Sequence, residues 1–291
     1  MRYYIIGNLT VDLIGDSVRG GGPGYYAGLA IATLGDKAVL IGNVGRDYPK
    51  EEINRLQEYN VDLSLLNLVN RSTRFRIEYH GSQRKLILAD QGELIEESVI
   101  PWNDLASSIT IISPVINEIS LNLLKRILRR SNYVTIDLQG FVRYTDHEGV
   151  ISYYWSEEFN EIISSSLIVH ASEEEVRGLS SDPVEAANKL LDMGAEYVAV
   201  TMGVRGSIVG WDNEVYHIPP MGVFHGDPTG AGDVYLAVAT VALTRNMSAL
   251  EAFTLATVAS GLRVLRGKPP WYSKEQLFSE AQKIMNYIRR T

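Results

Sequence analysis

The sequence predicts an α/β protein with a mostly parallel central sheet, and three observations predict it. Short runs rich in β-branched residues, YYIIG, KAVLIG, SITIIS, YVTIDL, SLIVH and YVAVTMG, recur with the unbroken apolar character of strands buried on both faces. Helical patterns separate most of these runs, which is the alternation of strand–helix–strand units. A chain of 291 residues with 45% hydrophobic content can bury roughly three-quarters of its unfolded surface. No Pro/Gly/Ser-rich linker, charge block, low-complexity tract or internal repeat divides it, so residues 1–291 read as a single domain.

Taken in order, Tyr3 to Ile6 is the first strand, and Thr10 to Val18 (TVDLIGDSV) breaks the alternation. A Gly-Gly loop then feeds a small-residue helix closing at Gly35, and KAVLIG follows as a strand. Arg74 to Asp90 (RFRIEYHGSQRKLILAD) breaks the alternation again, with HGSQ reading as a hairpin turn. Segments at about 9–20 and 70–92 therefore predict a small accessory sheet, while an antiparallel edge of the main sheet fits the pattern equally well. IDLQGFVR, Ile136 to Arg143, puts Gln139, Gly140 and Arg143 just past a central strand, where open α/β sheets bind ligands. Asp182, Pro183 and Gly194 supply an N-cap, a first-turn proline and a closing glycine. Ser248 with Glu251 and Ser273 with Gln276 form capping-box patterns in a helix-rich last third.

The stretch GDPTGAGDVY, Gly226 to Tyr235, carries the chemistry. Asp227-Pro228 initiates a turn, Gly230 and Gly232 open backbone conformations closed to other residues, and Val234 to Thr244 reads as a buried helix. The glycine loop thus sits at a helix N-terminus, whose unpaired amides and partial positive charge make an anion cradle. As a first-turn acid, Asp233 would stabilise the helix dipole. Beside an anion cradle it is also placed to take the proton of a hydroxyl attacking a phosphorus atom.

Asp227, Thr229, Gly230, Ala231, Gly232 and Asp233 resemble the D-T-x-G-A-G-D signature of the ribokinase-like (PfkB) carbohydrate kinases, with Pro228 where many members have Thr. Companion segments occur in order. GGPGYYAGLAIATLG, Gly21 to Gly35, resembles the first family signature, and GNVGRD, Gly42 to Asp47, the segment after it. Thr201, Gly203 and Gly206 resemble the T-x-G-x-x-G turn that contacts nucleotide phosphates. Glu175 matches the magnesium-associated Glu of N-x-x-E, with Ser172 replacing the Asn. The resemblance implies a three-layer α/β/α sandwich with a small β-sheet lid over the acceptor. It further implies Asp233 as base, the amides of Gly230, Ala231 and Gly232 as anion hole with Thr229 shaping it, ATP as donor, and Mg²⁺ held indirectly through water by Glu175. Relatives often pair through the lid sheet, so a homodimer is compatible with the resemblance.

On the acceptor side Asp12 keeps the family position of an acid that bonds substrate hydroxyls, near Gly22 of the Gly-Gly loop. Tyr26, preceded by Tyr25, replaces a sugar-bonding Asn; both phenols are also compatible with simple packing. The Tyr pair, IDLQGFVR with Gln139 and Arg143, HAS at His170 to Ser172 and DPTGAGDV are similar to the archaeal myo-inositol 3-kinase branch. The expected acceptor is accordingly a small neutral sugar or polyol, best myo-inositol, with a nucleoside or pentose as the alternative.

Other classes are disfavoured. A net charge of -8 argues against a nucleic-acid partner. The absence of cysteine excludes disulfides and thiolate metal sites, and His147, His217 and His225 show no ligand spacing. The opening MRYYIIGN has no long apolar region and the apolar runs fall short of about 18 residues, so a cytoplasmic protein without membrane attachment is expected. Gly22-Pro23-Gly24-Tyr25-Tyr26-Ala27 matches the G-x-G-x-x-A dinucleotide fingerprint of oxidoreductases, but polar GDSVRG intervenes where that fingerprint follows a strand directly. No G-x-x-x-x-G-K-[ST] occurs, and a catalytically silent sensor is discouraged by the retained Asp233.

Overall fold

The β-branched runs form strands and the capping signals start helices at their expected places. The computed structural model describes residues 1–80, 83–222 and 226–291. The Gly81-Ser82 turn, the Arg84 side chain and His225 lie outside the described residues.

In chain order β1 (Arg2–Ile6) leads to β2 (Thr10–Ile14), β3 (Ser17–Gly21), α1 (Pro23–Thr33), β4 (Lys37–Gly45), α2 (Lys50–Glu58) and β5 (Asp62–Val69). Next come β6 (Thr73–His80), β7 (Gln83–Asp90), β8 (Ile109–Ile112), α3 (Leu121–Arg130), β9 (Tyr133–Asp137) and α4 (Gln139–Val142). A ribbon of β10 (Arg143–Thr145) and β11 (Ile151–Tyr153) precedes α5 (Asn160–Ser164), β12 (Ile168–Ser172), α6 (Pro183–Asp192) and β13 (Tyr197–Thr201). The last elements are β14 (Ser207–Trp211), β15 (Glu214–Ile218), α7 (Ala231–Thr244), α8 (Ala249–Arg266), α9 (Lys274–Met285) and β16 (Arg289–Arg290).

The main sheet has the order β16-β15-β14-β13-β12-β9-β8-β1-β4-β5. Strands from β13 through β5 in that order run parallel, and β14, β15 and β16 add an antiparallel edge. Alternation along β1 sends Tyr3 and Ile5 into a core shared with α1, α7 and α8, and Tyr4 and Ile6 into a second core shared with α3, α5 and α6. Three layers result. Asp182 caps α6 by accepting the Val184 amide at 2.8 Å, and Ser248 with Glu251 closes a reciprocal capping box on α8.

The accessory segments form their own sheet, order β3-β2-β6-β7, rather than an edge of the main one. It is mixed, because β2 pairs parallel with β6 while the other pairings are antiparallel. Phe75, Val115 and Ile116 make a small core beneath it, with Leu86, Leu88 and Ile151 packed against them. The Leu88 amide donates to the Gly149 carbonyl at 2.8 Å, stitching the outer strand β7 to the β10–β11 ribbon. Among the described residues no helix is long and apolar enough to cross a membrane.

Candidate active site

The turn before α7 is built by its own side chains. Asp227 Oδ1 accepts the Thr229 amide at 3.0 Å and the Thr229 hydroxyl at 2.6 Å. Gly230 then takes φ 77°, and a Cβ there would lie 2.2 Å from the Tyr26 ring, so conformation and space both require glycine. The Ala231 amide donates to the Pro228 carbonyl at 3.0 Å. One of the three amides expected to form the anion hole is thus hydrogen-bonded within the turn. Val234 is the first α7 residue to bond four residues back, to Gly230 at 3.0 Å. The amides of Gly232 and Asp233 therefore have no acceptor within the helix.

Asp233 projects into a cavity of about 880 Å³. Its Oδ1 accepts from Ser113 Oγ at 3.3 Å and from Gln139 Nε2 at 3.4 Å, and Gln139 also donates to Ser113 at 3.3 Å. Two segments distant in sequence from Asp233 thus hold its carboxylate. Burial pushes the Asp233 carboxyl up to about 7, the nearby Asp137 charge adds to the rise, and Arg143, His170 and Ser113 oppose it. Such a carboxyl is poised to accept a proton near neutral pH.

The cavity is lined in part by Asp12 and Thr10 from β2, Gly22, Tyr26, Gln139, and the apolar side chains of Phe75, Leu86, Val115 and Tyr153. Asp12 is buried. Tyr26 stacks on Trp271 with ring centroids 6.0 Å apart, lies under the Arg263 guanidinium and backs Gly230. Tyr25 does not join it. One position round the helix, its hydroxyl donates to Glu52 Oε2 at 2.6 Å and accepts from Arg55 at 3.0 Å, so Tyr25 ties α1 to α2 instead of lining the cavity. Arg143 lines the cavity but is committed, Nη2 lying 3.3 Å from Glu175 Oε1 and Nη1 donating to Val115 O at 3.1 Å.

Gly203 (φ 56°) and Gly206 (φ 87°) shape the turn after β13, and Thr201 points its hydroxyl toward His170 Nε2 at 3.3 Å. Glu175 is tied down by Arg143 and by the Ser172 amide, which it accepts at 2.8 Å, and burial raises its pKa despite the arginine. Its two neighbours Glu173 and Glu174 also line the cavity, Glu173 paired with Arg205 and Glu174 exposed. Among the described residues no cluster of three or more acidic or histidine side chains could hold a metal unaided. Magnesium keeps most of its water and takes one or two carboxylates plus phosphate oxygens, so this acidic rim fits an ion that arrives with the donor.

The model of the PfkB family of carbohydrate kinases matches residues 16–269. The chain belongs to this family. It is therefore a kinase that transfers phosphate to a hydroxyl group of a sugar or nucleoside-type acceptor; kinases of this family draw on ATP or pyrophosphate and divalent metals. A cytidine kinase of Thermococcus kodakarensis is 29% identical over 246 residues, covering 79% of this chain and 84% of that protein. An inositol 3-kinase of Zea mays is 27% identical over 163 residues, covering 55% and 41% of the two chains. A pyrophosphate-dependent myo-inositol-1 kinase converted into a myo-inositol-3 kinase by two substitutions superposes with a TM-score of 0.81 at 20% identity, covering 97% of this chain and 99% of that one. The fold is thus ribokinase-like, as the motifs implied.

Sequence reasoning missed the pairing of Asp137 with His170, whose side chains meet at 2.9 Å beside Asp233. The available signal was a polar residue in each of two buried strands, Asp137 closing YVTID and His170 in the middle of IVHAS.

Proposed function

We propose that this kinase transfers the γ-phosphate of ATP to a hydroxyl of a small neutral polyol, with myo-inositol as the favoured acceptor. The reading is carried by Asp233, whose carboxylate stands in the first turn of α7 and lines a cavity of about 880 Å³. In the reaction the acceptor hydroxyl loses its proton to Asp233 as its oxygen bonds to the γ-phosphorus. The bond from that phosphorus to the bridging oxygen breaks and ADP leaves. The amides of Gly232 and Asp233 and the dipole of α7 stabilise charge on the moving phosphoryl group. Thr201, Gly203, Gly206 and Thr229 bind the donor's phosphates. Magnesium, held through water by the Glu173 to Glu175 rim, would neutralise phosphate charge when bound.

The acceptor is read from the side chains that line the cavity. Asp12 and Gln139 offer an acid and an amide for hydroxyls, while Arg143 is paired with Glu175 and so is less available to an acceptor carboxylate. The apolar wall of Phe75, Leu86, Val115 and Tyr153 suits the ring face of a carbocycle. A nucleoside is the second reading, favoured by the cytidine kinase relative. We further propose that the β3-β2-β6-β7 sheet acts as a lid, that residues 1–291 work as one domain, that two copies pair through that sheet, and that the protein works in the cytoplasm.

The test is a phosphorylation screen with ATP or pyrophosphate and magnesium against myo-inositol, ribose, fructose, 2-keto-3-deoxygluconate, adenosine and cytidine. Myo-inositol with ATP should give the highest kcat/KM. Another acceptor faster by more than about tenfold, roughly 1.4 kcal/mol of transition-state preference, would overturn the choice of acceptor.

A further inference from the structure

Asp137 ends β9 and His170 lies on the adjacent β12, and the parallel register sets the two side by side. Both side chains are 3% exposed. The His170 Nδ1–H donates to Asp137 Oδ2 at 2.9 Å, and Asp137 Oδ1 accepts the Gln139 amide at 2.9 Å, which fixes the carboxylate and through it the ring. The ring stacks on Tyr235 of α7, centroids 5.4 Å apart and planes 26° from parallel. Its opposite edge opens on the cavity. A Cβ at Gly232 would lie 3.1 Å from His170 Cε1, and His170 Nε2 stands 3.3 Å from Thr201 Oγ1. One imidazole therefore touches both the cradle for the transferring phosphoryl group and the turn that holds the donor.

The charges around it give that position a purpose. Asp137 from β9, Asp233 from α7 and Glu175 from the loop after β12 all face the ring. Among the described residues the arginines lining the cavity are Arg143, paired with Glu175, and Arg177, exposed. A site rich in carboxylates must nevertheless receive a polyphosphate. With Nδ1–H fixed on Asp137, Nε2 accepts from Thr201 when the ring is neutral and donates when it is charged.

We propose that His170, oriented by Asp137, is a positioning residue that supplies positive charge behind the phosphoryl cradle, keeping Asp233 ionised and the Thr201 turn directed at the donor. This rests on the kinase reading above. In support, burial opposes the charged ring, yet Asp137, with Glu175 and Asp233, outweighs it and holds His170 above the ordinary imidazole value.

The test has two parts. The Cε1–H resonance of His170, identified by its loss in His170→Asn and His170→Gln, is titrated in the wild-type protein alone, with saturating ADP and with inorganic tripolyphosphate. Its midpoint should rise by about one pH unit when either anion binds. A midpoint unmoved by saturating anion overturns the proposal. In kinetics, His170→Asn keeps an amide donor for Asp137 but carries no charge. Its kcat should fall about ten- to a hundredfold with the acceptor KM within about twofold, and the acid limb of its pH profile should move up by about one pH unit, because Asp233 loses a neighbour that lowers its pKa. A pH profile superimposable on the wild type overturns the role of His170 while leaving the kinase reading intact. Wild-type protein inactive toward every acceptor in the screen overturns that reading and this inference with it.

Discussion

Replacing Asp233 with Asn should make the protein more stable and nearly inactive at once. The carboxyl is pushed up to about 7 from an ordinary 3.8, so between those values the unfolded chain ionises and the folded chain resists. Stability contributed by this group therefore falls as pH rises from about 4 to about 7 and is level above that. A difference of about 3 in pKa corresponds to about 4 kcal/mol. Asp233 is only partly covered and faces an open cavity, so water screens it and about half, or about 2 kcal/mol, is the expectation. Asn carries no charge and escapes the penalty. Denaturant unfolding should show Asp233→Asn ahead of the wild type by under about 1 kcal/mol at pH 5 and by about 2 kcal/mol at pH 8. Turnover should drop by a factor of about 10² to 10⁴ with nucleotide binding little changed. A stability difference independent of pH would refute the burial argument, and near-normal turnover would refute the assignment of the base.

Gly230→Ala must hold a non-glycine residue at φ 77° and displace the Tyr26 ring, so unfolding should show a loss of at least about 1–2 kcal/mol together with a large fall in kcat. A variant with wild-type stability and rate would contradict both. Tyr25→Phe removes the partner of Glu52 and Arg55 and should cost about 1 kcal/mol of stability, with an unchanged acceptor KM. An increase beyond about threefold would mean that this phenol reaches the acceptor after all. If the four-stranded sheet closes over the site, limited proteolysis within Arg74 to Asp90 should slow only when acceptor and nucleotide are both present; indifference to ligands would mark it as a fixed wall.

What the sequence made legible were features whose cause is local. The six buried runs became parallel strands because continuous β-branched apolar stretches suit no other environment in this alternation. The turn before α7 was readable because Asp227, Pro228 and Gly230 impose it within four residues. The edge strands β14 and β15 escaped notice, being short and interrupted by Gly210 or flanked by charge. Tyr25 and Tyr26 could not be told apart because α1 is apolar all round and gives no facing direction. The engagement of Arg143 by Glu175 and of His170 by Asp137 depends on which strands lie side by side, and that is a property of topology rather than of spacing.

The seating of Gly230 on the ring of Tyr26 also bears on how the protein comes into being. The two residues are about two hundred positions apart, and one supports the backbone of the other. A chain emerging from the ribosome can form β1, α1 and β4 early, but the cradle waits until α7 has docked on α1. Pairings of such long sequence separation are slow to close, and they leave apolar helices uncovered meanwhile. A donor that binds only the finished fold would trap the folded product by mass action without guiding the earlier steps. Premature termination before α7 should accordingly leave a fragment with no residual donor affinity.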